Sequence, residues 1–170
     1  LDRAHNPAVT ELLEALNPDV AASVIDAGQD GPALMLAIQQ AVQDGALVAL
    51  LVDRAQPGGH TVEAPFFGLP AAFPTAPWLI ALALKAPVTL AFGLYRGGRR
   101  YDLRFEHFCD RLDVPRAQRS ERLAELVREY VVRLEAAARS APYNWFNFYN
   151  VWEDAARGHS DAHTGPADHV

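Results

Sequence analysis

The chain has 170 residues, 50% of them hydrophobic and 21% charged, which suits one domain with a real core and excludes a chain disordered throughout. Lys and Arg number 15 against 21 Asp and Glu, and the net charge of -6, with no basic stripe of interleaved aromatics, argues against a general nucleic-acid binder. The single cysteine, Cys109, excludes an internal disulfide framework, and no signal peptide or targeting segment is visible.

In chain order, Asn6-Pro7 reads as a helix cap followed by Pro at the first helical position. Val9, Leu12, Leu13 and Leu16 continue at helical spacing, and Asn17-Pro18 stops the helix. Val20 to Ile25 is short and β-branched and predicts a strand. Gly31-Pro32 opens a second helix through Leu34, Ile38, Ala41 and Val42, stopped at Gly45. Ala46 to Val52 is apolar without interruption. A run apolar on every side is what a central strand of a parallel sheet covered on both faces requires. The first fifty or so residues therefore predict a βαβ crossover and an α/β fold whose central sheet is mixed, mostly parallel and flanked by helices.

Asp53 to His60 is a loop turning at Pro57-Gly58-Gly59, and Val62 to Phe67 is extended, closing at Gly68. Thr75 caps a predicted helix with Pro77 in its first turn, running through Trp78, Leu79, Leu82 and Ala83. Val88 to Tyr95 reads as a strand. Gly97-Gly98 turns the chain, and Tyr101 to His107 alternates Tyr, Leu and Phe against Asp, Arg and Glu, a half-exposed antiparallel strand. Pro115 opens a long helix to about Arg139 with a stripe of Leu123, Leu126, Val127, Tyr130 and Leu134. The apolar stretch Ala76 to Phe92 is broken by Lys85 and Pro87 and does not read as a membrane span. Residues 154 to 170 read as a disordered tail.

Asp53 and Arg54 follow the predicted strand Ala46 to Val52, and ligands of open α/β sheets bind outside the carboxyl ends of strands. A carboxylate beside a guanidinium there could orient a catalytic base or grip an anion; a local ion pair is the structural alternative. Phe66-Phe67-Gly68-Leu69-Pro70 with Phe73-Pro74 reads as an apolar loop able to line a groove for an aliphatic chain, or as core packing under a loop. Arg96, Arg99 and Arg100 surround the Gly97-Gly98 turn, a solvated hairpin tip or a contact for phosphate or an anionic membrane. His107, Cys109 and Asp110 have no second Cys/His pair and do not space as a metal site. Pro142 to Trp152 concentrates Trp145, Phe146, Phe148, Tyr149 and Trp152 among Asn residues. Such a segment suits a lipid interface or the lid of an apolar pocket, and composition alone favours a segment docked on its own core.

Taken in order, Leu-Val-Asp-Arg at 51 to 54, Pro-Phe-Phe-Gly at 65 to 68, Ala-Ala-Phe-Pro-Thr-Ala-Pro-Trp at 71 to 78, Ala-Pro-Val at 86 to 88 and Pro-Tyr-Asn-Trp-Phe-Asn-Phe-Tyr at 142 to 149 form a recognisable set. It resembles the C-terminal part of the lipid A biosynthesis acyltransferases, the lauroyl/myristoyl transferase group of the lysophospholipid acyltransferase superfamily, over roughly residues 1 to 153. The resemblance implies a glycerolipid acyltransferase-like α/β fold. It implies transfer of a fatty acyl group from an acyl carrier protein or coenzyme A thioester to a lipid hydroxyl, at the cytoplasmic face of the bacterial inner membrane and without a cofactor or metal. It implies an active-site role for Asp53; Arg54 departs from the neutral or His residue often found beside it in the family and looks like the Asp-Arg variant of a subgroup. The residues themselves put forward Arg54, Phe66, Phe67, Gly68 and Phe73 as substrate contacts, and Trp145, Phe146, Phe148, Tyr149 and Trp152 as lid or membrane residues.

One departure stands out. The family's His-x4-Asp/Glu pair takes the proton from the acceptor hydroxyl, and it lies N-terminal to the region that this chain resembles. His5 is followed five positions on by Thr10, not an acid. His163 and Asp168 have the spacing but lie in the tail, without apolar structure to fix the imidazole. The expectation is therefore a single acyltransferase domain over residues 1 to 153 with its N-terminal part missing, inactive alone. The competing expectations are a non-catalytic lipid- or membrane-binding module and an unrelated α/β domain whose aromatics are core.

Overall fold

The computed structural model describes residues 7–55, 58–111, 113–145 and 150–152. The chain divides into two compact units, Leu1–Ala49 and Leu50–Val170.

The first unit is helical. Helix α1 spans Pro7–Leu16, α2 Pro18–Ala22 and α3 Gly31–Gln43. The predicted strand at Val20 to Ile25 is replaced in part by α2. The reason is local: Asn17 in extended conformation accepts the Val20 N–H through its side chain at 3.2 Å, and Pro18 occupies the first turn, so cap and Pro together override β-branched propensity. Helix α3 starts as its sequence demands, with the Asp30 carboxylate accepting from the Ala33 N–H at 2.8 Å. It ends at a left-handed Gly45, φ 80°. Ile38 is its buried residue.

The second unit carries all four described strands. Strands β1, Thr61–Phe66, and β2, Leu69–Pro74, form one antiparallel hairpin; β3, Val88–Tyr95, and β4, Tyr101–Cys109, form the other. Helix α4, Ala76–Leu84, lies between the hairpins in sequence, and α5, Arg119–Ser140, follows a single 3-10 turn at Arg116–Gln118. The core joins Ala64, Phe66, Ala71 and Phe73 of the first hairpin to Trp78 and Leu82 of α4, Leu90 of β3, the α5 stripe Leu126, Val127, Tyr130, Val131 and Leu134, and Val151.

The parallel central sheet expected from the sequence is not formed. A central strand needs a hydrogen-bonded neighbour on each edge. Here each described strand pairs only with its neighbour in sequence, as hairpins do, so the fold is a mixed α/β arrangement with two small antiparallel sheets. Ala46 to Val52 contains no strand. Leu47 and Leu51 stay 89% and 86% exposed, Val52 alone packs partly on the core, and the boundary between the two units falls within this run.

Strand β2 lies where the sequence predicts an apolar loop. Pro70 and Pro74 disfavour a strand, yet Pro74 stands at its last position and Pro70 on a two-stranded ribbon, where a missing N–H is tolerated. Helix α4 begins where expected, but the Thr75 hydroxyl donates to the His60 carbonyl at 3.0 Å and does not cap the helix. Thr75 thereby ties the entry of β1 to the exit of β2.

Candidate functional site

The Phe66-Phe67-Gly68-Leu69 segment is the tip of the first hairpin. Phe66 pairs with Leu69, leaving a two-residue turn in which both Phe67 and Gly68 have positive φ, 52° and 83°. That conformation belongs to the tight turn whose twist matches a hairpin. Glycine adopts it freely, whereas a non-glycine residue such as Phe67 must be held there by its surroundings.

Helix α5 does the holding. The Glu135 carboxylate accepts the Phe67 backbone N–H at 2.7 Å. Its other oxygen accepts two bonds from the Arg139 guanidinium, 3.0 Å from Nε and 2.7 Å from a terminal nitrogen. The same guanidinium carbon lies 4.8 Å from the centroid of the Phe67 ring. The Phe67 N–H, and after it Arg139, hold the Glu135 carboxyl below its ordinary range. An i,i+4 Glu–Arg pair on a helix is legible in a sequence as a surface pair. Its use as a latch on a turn 68 residues away is not, and sequence reasoning missed both residues.

The two aromatic segments of the sequence meet at this tip. Trp145 lies edge-on to Phe66 with ring centroids 4.9 Å apart, and Trp152 stacks on it at 6.3 Å. The Trp152 indole N–H donates to the Phe66 carbonyl at 3.0 Å. Behind Phe66, Phe73 packs edge-on at 5.7 Å, and the chain of rings continues through Tyr130 to Trp78 and Phe108. Phe66 and Phe73 are fully buried, whereas Phe67 and Gly68 are exposed. The tip therefore presents Phe67 and Gly68 outward over a buried aromatic base. The indole N–H groups of Trp145 and Trp78 are buried without an acceptor among the described residues. Phe146, Phe148 and Tyr149 lie outside the described residues.

Asp53 and Arg54 form the local ion pair named as the structural alternative, Arg54 Nε to Asp53 Oδ2 at 3.7 Å. The Asp53 side chain is the better covered of the two, 24% exposed against 50%. Val52 packs on the core and fixes where Asp53 emerges. His107 Nε2 lies 3.1 Å from Asp110 Oδ1, both exposed. Burial pushes the neighbouring Cys109 thiol up from its ordinary value, which disfavours the nucleophilic thiolate. Among the described residues no three His, Cys, Asp or Glu converge as metal ligands, and no helix is long and apolar enough to cross a membrane.

No curated protein and no solved structure matches the chain. The family described as bacterial lipid A biosynthesis acyltransferase matches residues 3–153. This matched region contains Asp53, both hairpins and the aromatic segment that closes on Phe66. It also takes in the helices of the first unit. The chain belongs to the bacterial lipid A biosynthesis acyltransferase family.

Proposed function

We propose that this chain is the C-terminal portion of a membrane-associated acyltransferase. The enzyme moves a fatty acyl group from an acyl carrier protein or coenzyme A thioester to a hydroxyl of a lipid A-like or other glycolipid or lysolipid acceptor, at the cytoplasmic face of the bacterial inner membrane. Family membership over residues 3–153 supports the reaction class. The observation that carries the site is the convergence of Phe66, Trp145 and Trp152 beneath the exposed Phe67–Gly68 turn, a rigid apolar lip suited to an acyl chain.

In this reading the acceptor oxygen attacks the thioester carbonyl, and collapse of the tetrahedral intermediate expels the thiolate of the carrier. Phe67 and Gly68 meet the acyl chain, Phe66 and Phe73 support them from behind, and Trp145 and Trp152 close the lip. Asp53 is a supporting acid that orients the proton-accepting group, and Arg54 grips an anionic group of donor or acceptor. His60 and His107 are followed five positions on by Pro65 and Leu112, so neither forms the family's His-x4-acid pair.

Asp53→Ala in the natural gene product is expected to lower turnover by about 100-fold or more while the folded fraction is kept, as judged by circular dichroism. Near-normal turnover removes Asp53 from the site. Lipid binding by the wild type without thioester consumption favours a non-catalytic lipid-binding module instead.

A further inference from the structure

The second hairpin buries Leu90 and Leu94 of β3, yet β4 leaves large apolar side chains outside. On β4, Tyr101, Leu103 and Phe105 share one face, and Asp102, Arg104 and Glu106 the other. A strand covering a core turns its apolar side inward. Here the side of β4 that bears Asp102, Arg104 and Glu106 turns toward the molecule only at Glu106, which meets Arg133 of α5 at 3.2 Å and pairs with the buried Leu90, while Asp102 and Arg104 are exposed. Tyr101, Leu103 and Phe105 are left outside, 64%, 68% and 67% exposed. Opposite them stand Tyr95, Gly93 and Ala91, so the small residues of β3 let the large side chains of β4 stand clear. The Tyr95 and Tyr101 rings lie 5.3 Å apart at the hairpin end. The Tyr95 N–H donates to the Asn144 side chain at this end.

Charge follows the same geography. The chain as a whole is acidic, with a net charge of -6, yet the turn joining Tyr95 to Tyr101 reads Arg96-Gly97-Gly98-Arg99-Arg100. Arg96 is engaged by Asp102 at 2.7 Å, and Arg99 and Arg100 are exposed. An open face of Leu and Phe, tyrosines at its end and a basic tip beyond them is the chemical profile of a bilayer boundary. Apolar side chains enter the acyl region, tyrosines sit at headgroup level, and arginines meet anionic headgroups.

We propose that the outward face of the Tyr95–Phe105 hairpin seats the protein on an anionic lipid surface. The proposal takes up the membrane association of the functional reading and names the surface responsible. Flotation reads lipid binding alone, so its failure and the failure of acyl transfer are separate results.

The test floats the natural gene product with phosphatidylcholine vesicles, with and without phosphatidylglycerol, beside two double variants, Leu103→Thr with Phe105→Thr and Arg99→Gln with Arg100→Gln. Threonine keeps strand propensity at exposed positions, and far-ultraviolet circular dichroism checks the fold. Wild type is expected to float with phosphatidylglycerol vesicles, each double variant to lose about tenfold or more of that binding, and added salt to release the wild type. Equal flotation of either folded double variant overturns the proposal, as does wild-type binding indifferent to phosphatidylglycerol. So does a wild type that fails to float but runs as a dimer dispersed by the Leu103→Thr, Phe105→Thr change, because the face then serves a second copy. If the threonine variant misfolds, the arginine variant, altered only in the turn, decides alone.

Discussion

The two hairpins of the second unit are made of similar material and treated in opposite ways. In the first, Ala64, Phe66, Ala71 and Phe73 face inward and vanish into the core, and the tip is latched by Glu135 and Arg139. In the second, the core receives Leu90 and Leu94, while Tyr101, Leu103 and Phe105 remain in the open. The difference teaches that alternation defines the two faces of a ribbon but not which of them is covered. What decides is the partner element. Helix α5 offers its apolar stripe to the first hairpin, whereas it meets β4 through the half-exposed Arg133–Glu106 pair, and the second hairpin reaches the core through Leu90 of β3.

The sharpest way to break this contrast is to hollow out the first hairpin. Phe66→Ala removes a fully buried ring that touches Phe73, Trp145 and Trp152, and is expected to cost about 3–5 kcal/mol in urea unfolding. A loss below about 1 kcal/mol would mean that the aromatic base is not packed as described. Next comes the turn. Gly68 has φ 83° with nothing within 4 Å of an added Cβ, so Gly68→Ala meets a conformational penalty alone, about 1–2 kcal/mol, measured in the same way.

The latch gives a pH signature. The folded state holds the Glu135 carboxyl below its ordinary value of 4.5, so the stability it contributes is present above that value and is lost as pH falls through the depressed folded-state value. Glu135→Gln should therefore be less stable than wild type near neutrality, with the gap closing on acidification below that range. A gap constant from neutral to acid pH would exclude the ionised carboxylate as the latch. The smallest effect belongs to the second hairpin: Leu103→Thr, at an exposed position, is expected to shift stability by no more than about 0.5 kcal/mol. A large loss there would show that the face is covered by the protein itself.

Much of the second unit was legible in the sequence. β3 begins and ends at the expected residues, α4 and α5 fall near their expected starts, and Gly68 closes β1. Those elements carry their signals locally, in caps, turn glycines and apolar stripes. Strand β2 was hidden by Pro70 and Pro74, because propensity does not report that a two-stranded ribbon tolerates proline. Ala46 to Val52 misled in the opposite sense, since seven apolar residues describe a strand only where neighbours exist to pair with it. The partners of Phe66 in the C-terminal aromatic run were unreadable for a different reason. The sequence shows two greasy segments, and only the fold shows that Trp152 reaches back 86 residues to the Phe66 carbonyl. Asp53 and Arg54 were named from position, and the ion pair between them was the stated alternative.

The claim that organises this account is that the Phe67–Gly68 lip over Phe66, Trp145 and Trp152 receives the acyl chain. A fatty acyl thioester bearing a photoreactive diazirine on its chain, irradiated with the natural gene product and followed by peptide mapping, tests it most directly. The account predicts labelling of the peptides containing Phe67 to Leu69 and Trp145 or Trp152, displaced by unlabelled acyl thioester. Displaceable labelling confined to other segments would contradict it.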